Sequence, residues 1–268
     1  MIRNIRRGIR LIEHALDTRV EASKTMLRGF NTNFEWRDQP KIANDSPNVL
    51  RTFFNNRKKG AGIWKWDHYF DIYDRHFARF RGHESHLLEI GVYSGGSLEM
   101  WRDYLGPKAH IYGVDIESAC RLYEDEQTRI FIGDQADRKF WRDFRRKVPT
   151  LDIVVDDGGH EPEQQIVSLE ELLPHLRPGG VYCCEDVVGT LNRFACYVHG
   201  IAHKLNDAPM QNNTEEPERR LVCPASSFQT CVAAIHLYPF VAVIERSSSL
   251  LTEFVAPKHG TQWQPFLK

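Results

Sequence analysis

The stretch HLLEIGVYSGGSLEMW, residues 86–101, decides how the rest of the chain is read. It opens with a short apolar run, HLLEIGV (86–92), and passes through a turn rich in serine and glycine. It then continues with Leu98, Trp101 and Leu105 at helical spacing until Gly106-Pro107 stops it. A strand, a glycine turn and a helix in that order are the first half of a βαβ unit. Working outward, the alternation repeats. HIYGVDI (110–116), RIFIGD (129–134) and LDIVVDD (151–157) read as strands, and a helix over about 161–176 carries Ile166, Leu169, Leu172, Leu173 and Leu176. Pro178-Gly179-Gly180 then turns the chain into VYCCEDV (181–187), and a last helix shows Leu191, Phe194, Val198, Ile201 and Leu205 on one face. CVAAIHLY (231–238) and FVAVIER (240–246), separated by Pro239, are expected to pair antiparallel at one end of the sheet.

This order predicts an α/β fold: a doubly wound, mostly parallel, seven-stranded Rossmann-like sheet with an antiparallel C-terminal strand. The chain has 268 residues, 41% hydrophobic and 26% charged, enough to bury a sizeable core. Thirty-five Lys and Arg against 36 Asp and Glu give a net charge of −1, which argues against nucleic acid as the main partner. No apolar run has the length of a membrane span. The six cysteines are scattered without CxxC spacing, so they read as reduced thiols of a cytoplasmic protein and give structural zinc no support.

Residues 1–62 are expected to form an N-terminal helix and a loop, and residues 63–268 the main domain. Ile2, Ile5, Ile9, Ile12 and Leu16 fall at helical spacing, while Glu13, Asp17 and Glu21 are unlike a transit peptide. The loop 31–62 carries Phe34, Trp36, Phe53 and Phe54, as a lid or subunit contact would, or as a strap packed on the core would. The apolar surface of both segments points to a homo-oligomer.

In a doubly wound sheet, ligands sit at the carboxyl ends of the strands near the switch point. The first strand ends in Gly91-Val92-Tyr93, where a dinucleotide fingerprint would need glycine at the third position to approach a pyrophosphate. A tyrosine there leaves room for a nucleoside ligand without one, such as S-adenosylmethionine. Asp115, at the end of the second strand, suits both ribose hydroxyls. Asp134 and Gln135, after the third, offer an acceptor and a donor to an adenine edge.

LLEIGVYSGGSLEMW, YGVDIE, IFIGDQAD, VVDDGGHEPEQQ and LRPGGVYCCEDV together resemble class I S-adenosylmethionine-dependent methyltransferases. More narrowly, they are similar to the metal-dependent sugar O-methyltransferases of macrolide and related natural-product pathways, over roughly residues 64–246. The resemblance implies that Glu89, Gly91, Tyr93, Ser94, Gly95 and Ser97 line the methionine end of the cofactor, that Asp115 holds the ribose, and that Asp134 and Gln135 hold the adenine. It also implies that Tyr69, in the aromatic segment 64–77, closes over the cofactor. The N-terminus and the 207–219 insert depart from the family pattern.

The fourth strand ends Asp156-Asp157-Gly158-Gly159-His160 and the fifth ends in Glu185-Asp186. Adjacent parallel strands would bring four carboxylates and an imidazole to one pocket, and like charges so close call for a cation or a proton. An all-oxygen set suits Mg2+ or Mn2+. Asp157, Glu185 and Asp186, which match the family pattern, are the expected ligands. Strand alternation sends Asp156 to the other face and assigns it to the cofactor side. The metal would bind two adjacent hydroxyls of a small-molecule acceptor, a glycosylated one by the resemblance, and His160 would be the general base.

Other readings stand beside this one. The Asp-Asp pair could cap a helix, the Glu-Asp pair could sit in solvated turns, and His160 could bond at a helix start. A metal-free methyltransferase using His160 on an N or carboxylate acceptor, a metal-dependent hydrolase or hydroxylase, and a non-catalytic cofactor-binding subunit are the competing functions. The other histidines read as structural or surface residues.

Overall fold

The computed structural model describes residues 17–35, 48–207, 220–257 and 259. The isoleucine-spaced segment before residue 17, Trp36, and most of the 207–219 insert lie outside the described residues. The chain divides into two compact units, residues 1–46 and 47–268. In the first, residues 17–30 form a helix, α1, whose residues are exposed.

The second unit holds the sheet. Its strands are β1 (Ser85–Ile90), β2 (Ala109–Asp115), β3 (Thr128–Ile132), β4 (Leu151–Asp156), β5 (Leu176–Cys184), β7 (Val232–Tyr238) and β8 (Val241–Arg246), in the order β3-β2-β1-β4-β5-β8-β7. β1 to β5 pair in parallel, and β8 runs antiparallel to both β5 and β7. A further pair, β6 (Arg220–Pro224) with β9 (Glu253–Pro257), stands apart as a two-stranded antiparallel ribbon.

The strands are buried on both faces because successive residues alternate between two cores. Leu87, Ile153, Val155 and Cys183 enter one core with Tyr73, Phe77 and Trp101. Leu88, Val154, Tyr182 and Cys184 enter the other with Trp141, Phe144 and Phe194. The first face is covered by α2 (Val49–Asn56), α3 (Tyr69–Phe77) and α4 (Gly96–Leu105). The second is covered by α5 (Arg138–Arg145), α6 (Pro162–Leu172) and α7 (Arg193–His203). Side-chain caps start several of these helices. Asn48, Asp137 and Asn192 each accept a hydrogen bond from an amide two or three residues on, and Pro162 opens α6. A short α8 (Ser227–Cys231) begins with a capping box between Ser226 and Gln229.

Three local features differ from the sequence reading. β5 already begins at Leu176, so Pro178-Gly179-Gly180 lies inside the strand as an irregularity. The register against β4 jumps there, from Leu151 opposite Leu176 to Ile153 opposite Val181. The helix expected over 161–176 ends as α-helix at Leu172, and a 3-10 turn, Leu173–His175, completes it around Pro174. Residues 47–62 belong to the larger unit, with Leu50 buried and Phe53 and Phe54 packed on the first core.

All six cysteines are free thiols. Among the described residues, no helix is long and apolar enough to cross a membrane.

Candidate active site

The strand order reverses between β1 and β4, and a cleft of about 790 Å3 opens at the carboxyl ends of these parallel strands. Its floor comes from the loops after β1 to β5, and residues 62–66 form its remaining wall. The β1 and β4 loops are drawn together at Gly91. The amide of Asp157 donates to Ile90 O at 3.0 Å, and a Cβ on Gly91, whose φ is +88°, would collide with the Asp157 carbonyl. Three non-glycine residues on this cleft also hold left-handed backbone: Tyr93 (φ 48°), His160 (59°) and Asp186 (52°). Such strain persists where the surroundings fix it, and it clusters at functional sites.

At one end, Asp115 is held by backbone amides. Its Oδ2 accepts from Val92 N at 2.9 Å and Tyr93 N at 3.0 Å, and its Oδ1 accepts from Glu117 N at 2.9 Å. Partial burial opposes ionisation, but these three amides prevail and hold its carboxyl below the usual aspartate range. The carboxylate thus fixes the β1 loop that it faces. Asp134 lies beside it, Oδ1 accepting from Ala136 N at 2.8 Å.

Gln135 is used internally. Its Nε2 donates to Asp156 at 3.0 Å and Ser168 at 3.1 Å, while its Oε1 accepts from Gly159 N at 2.8 Å. The side chain therefore clamps the turn that carries His160, and its carboxamide is already committed. Ser94 and Ser97 reach the cleft, as do Gly91 and Tyr93, whose side chain is largely exposed.

Three residues expected at the cofactor do not line the cleft. Glu89 is fully buried beneath it, accepting from Ser97 Oγ at 2.6 Å and Trp101 Nε1 at 3.1 Å. Gly95 turns behind the loop, and its missing side chain leaves room for the Tyr123 ring. Asp156 points to the opposite side of β4, as strand alternation requires, into a polar nest. Tyr182 donates to it at 2.7 Å along with Gln135, and burial pushes its carboxyl up to about 6.

The other end of the cleft is acidic. His160 Nε2 lies 3.8 Å from Asp157 Oδ1 and 3.6 Å from Asp186 Oδ2, and its Nδ1 is buried without a hydrogen-bond partner. The donor atoms of Asp157, His160 and Asp186 lie within 4.8 Å of one another. Asp186 Oδ1 is fixed by Tyr69 Oη at 2.7 Å and by Trp66 Nε1 at 3.0 Å. Tyr69, itself buried, therefore orients an acid on the cleft wall.

Glu185 is buried and its oxygens are engaged: Tyr73 Oη donates at 2.6 Å and Lys65 Nζ at 3.0 Å. Sequence reasoning missed Lys65. Its ammonium, with the side chain 2% exposed, binds Asp157 Oδ2 at 2.5 Å and Glu185 Oε2 at 3.0 Å, and sits 3.7 Å from Glu89 Oε1. Burial opposes its charge, yet the three carboxylates hold its pKa well above the lysine norm. Three acids share one cation, and burial, opposed by Lys65, raises the carboxyl of Glu89 above its usual range. Burial and the Asp157 charge outweigh Lys65 and Tyr73, and Glu185 is pushed up to about 8.

The donor chemistry fits a hard divalent cation. Carboxylate oxygens from Asp157 and Asp186 converge, and an imidazole stands beside them. Glu185 fits as a third ligand only when Lys65 releases it.

Residues 88–187, which span β1 to the end of the acidic pocket, match the family described as Methyltransferase domain. This segment is a methyltransferase domain. The domain and its flanks are similar to demethylmacrocin O-methyltransferase of Streptomyces fradiae, with 37% identity over 147 residues, 52% of this chain and 36% of that protein. They are also similar to 8-demethyl-8-alpha-L-rhamnosyl tetracenomycin-C 2'-O-methyltransferase of Streptomyces olivaceus, with 30% identity over 207 residues, 72% of this chain and 53% of that protein. Among solved structures, the MycE methyltransferase from the mycinamycin biosynthetic pathway, in complex with Mg and SAH, superposes with a TM-score of 0.59 and 27% identity. That match covers 75% of this chain and 55% of the other. The chain spans about half or less of the length of these relatives. The methyltransferase domain has the Rossmann-like architecture expected from the alternation of its strands and helices.

Proposed function

We propose that this chain transfers a methyl group from S-adenosylmethionine to one hydroxyl of a vicinal diol, on a sugar carried by a small-molecule natural product, and that a divalent metal assists. The observation that carries this reading is the position of His160 Nε2, 3.6 and 3.8 Å from two carboxylates at the strand ends that face the cleft. The relatives named above, whose names specify O-methylation of macrolide and tetracenomycin substrates, support the acceptor class. Trp64, Tyr93 and Val188 line the cleft with much of their apolar surface exposed, which suits a large apolar aglycone.

Asp157, Glu185 and Asp186 would hold the ion, and Asp115 with Asp134 would face the nucleoside. When bound, the cofactor supplies an activated methyl and Mg2+ or Mn2+ supplies a Lewis acid that lowers the acceptor hydroxyl's pKa. His160 Nε2 takes the hydroxyl proton, and the charges of Asp157 and Asp186 stabilise the imidazolium that results. Gln135 fixes the glycine turn beneath His160, while Tyr69 and Trp66 fix Asp186, so the base and its carboxylates are placed before the acceptor arrives.

The test is turnover of a panel of demethyl glycosides with S-adenosylmethionine and Mg2+. Mass spectrometry should show the gain of one methyl, and a chelator should abolish it. Binding of S-adenosylhomocysteine without turnover of any glycoside would sink the acceptor assignment. One observation favours a metal-free variant: Lys65 already bridges Asp157 and Glu185. Turnover that survives chelation would select it.

The exposed apolar residues Val20, Met26, Leu27 and Phe30 of α1 support a homo-oligomer, and a monomer by light scattering would refute it. The six free thiols support a cytoplasmic setting.

A further inference from the structure

We propose that Lys65 is an internal counter-cation that competes with the divalent ion, so that its ammonium must leave Glu185 before the metal can take that carboxylate. The inference rests on the metal-assisted reading above and concerns a residue to which that reading gives no part.

Lys65 Nζ lies between Asp157 Oδ2 and Glu185 Oε2, at 2.5 and 3.0 Å. Tyr73 holds the other oxygen of Glu185, so a divalent ion that took Glu185 would compete with the ammonium for Oε2, whereas Asp157 Oδ1 faces His160. An ammonium and a divalent ion a few ångströms apart repel strongly, and the low polarity around a buried group leaves the repulsion poorly screened. Both cannot hold Glu185 Oε2 together.

The arrangement also gives the ammonium somewhere to go. Glu89 Oε1 stands 3.7 Å away, and it is tied down by Ser97 and Trp101. A lysine that gave up Glu185 would keep this buried carboxylate as partner. Lys65 also lines the cleft together with Gly62, Ser94 and Ser97. The carboxylate of a methionine-bearing cofactor laid along these residues would complete its pairing. Bare desolvated charge is costly, so the lysine moves only when a new anion is offered. Cofactor binding therefore promotes metal binding, and linkage makes the promotion reciprocal.

The experiment is a Mn2+ titration of the full chain followed by the EPR signal of free Mn2+, with and without S-adenosylhomocysteine. It is run for wild type, Lys65→Met, Lys65→Arg and Asp186→Asn. Lys65→Met is expected to bind Mn2+ at least about tenfold tighter than wild type in the absence of S-adenosylhomocysteine. Wild type is expected to tighten when S-adenosylhomocysteine is added, and Lys65→Met to lose most of that gain. Lys65→Arg, which keeps the charge, should bind Mn2+ no tighter than wild type. Thermal melting supplies a second readout: Lys65→Met, left with uncompensated acids, should melt below wild type without metal and gain more from Mn2+ than wild type does.

Wild type that binds Mn2+ and loses it in Asp186→Asn, together with Lys65→Met that binds no tighter, overturns the competition while leaving the metal-assisted reading intact. Absence of binding in every variant overturns both. Should Lys65→Met fail to fold even with Mn2+, Lys65→Arg decides: tighter binding than wild type overturns the proposal, and equal or weaker binding supports it.

Discussion

The two ends of the cleft hold their carboxylates in opposite ways. Asp115 is gripped by three backbone amides that belong to the loops it organises, and it is stably ionised. Asp157, Glu185 and Asp186 are held instead by side chains: a lysine, two tyrosines, a tryptophan and a histidine at the edge of hydrogen-bond reach. Backbone amides cannot be withdrawn without unfolding the loop, whereas side chains can exchange partners. The first end is therefore built for a ligand that always binds the same way. The second is built with replaceable partners, as the proposed exchange of cations requires.

The contrast is broken most directly at Asp157. On the metal-assisted reading, Asp157→Ala should lower turnover by roughly three orders of magnitude, since metal ligation is worth several kcal/mol at the transition state. It should leave the affinity for S-adenosylhomocysteine within a few-fold in calorimetry. Near-native turnover would show that the acidic end does no chemistry.

His160→Ala should follow, with a loss of about 10²- to 10⁴-fold in kcat, the span of a positioned general base. A residual rate that climbs with pH would sharpen the assignment, since solvent base would replace the imidazole. The reverse pattern is expected at the other end. Asp115→Ala should weaken S-adenosylhomocysteine about 10- to 100-fold, through loss of charge-assisted hydrogen bonds that order the loop, and should leave Mn2+ affinity without cofactor unchanged. Equal losses of cofactor and metal would mean that the two ends are one rigid unit.

The last effect concerns stability. The folded pKa of Asp156, raised by burial to about 6, lies above its unfolded value of 3.8. The folded state therefore holds the proton more tightly, and its contribution is complete below the unfolded value and lost as pH rises through about 6. The shift corresponds to roughly 2–3 kcal/mol across that window. Asp156→Asn should flatten this part of a urea-denaturation profile, and an unchanged slope would place the titration elsewhere.

The sheet was legible because its strands are apolar runs with polar ends and its helices carry apolar faces at helical spacing. Gly91 and the Asp157–His160 turn announced themselves through residue type at a strand end. Lys65 did not. It lies 92 residues from Asp157 and 120 from Glu185, in an aromatic segment whose obvious feature is packing, and no local pattern distinguishes a buried lysine from a solvated one. Glu89 was misplaced for a related reason. A residue inside an apolar strand is buried by default, and its role emerges only from Ser97 and Trp101 on the next helix. Gln135 lines the cleft, as its place after a strand suggested, and its carboxamide also clamps the Gly158-Gly159 turn, a contact that no local pattern shows. The start of β5 was read one turn late because Pro178-Gly179-Gly180 has the composition of a loop, while its neighbours on β4 absorb the extra residues as a register jump.

Asp156 and Asp157 are joined by one peptide bond, yet one faces the buried nest around Tyr182 and the other faces the cleft. Because side chains alternate along an extended strand, loss or gain of a single residue within β4 would interchange them. It would push the solvent-facing acid into the core and retire the buried one to the pocket. Substitutions that keep apolar volume along this buried strand are better tolerated than changes of its length. Sequences descended from this one should therefore vary in the composition of the strand before they vary in its count.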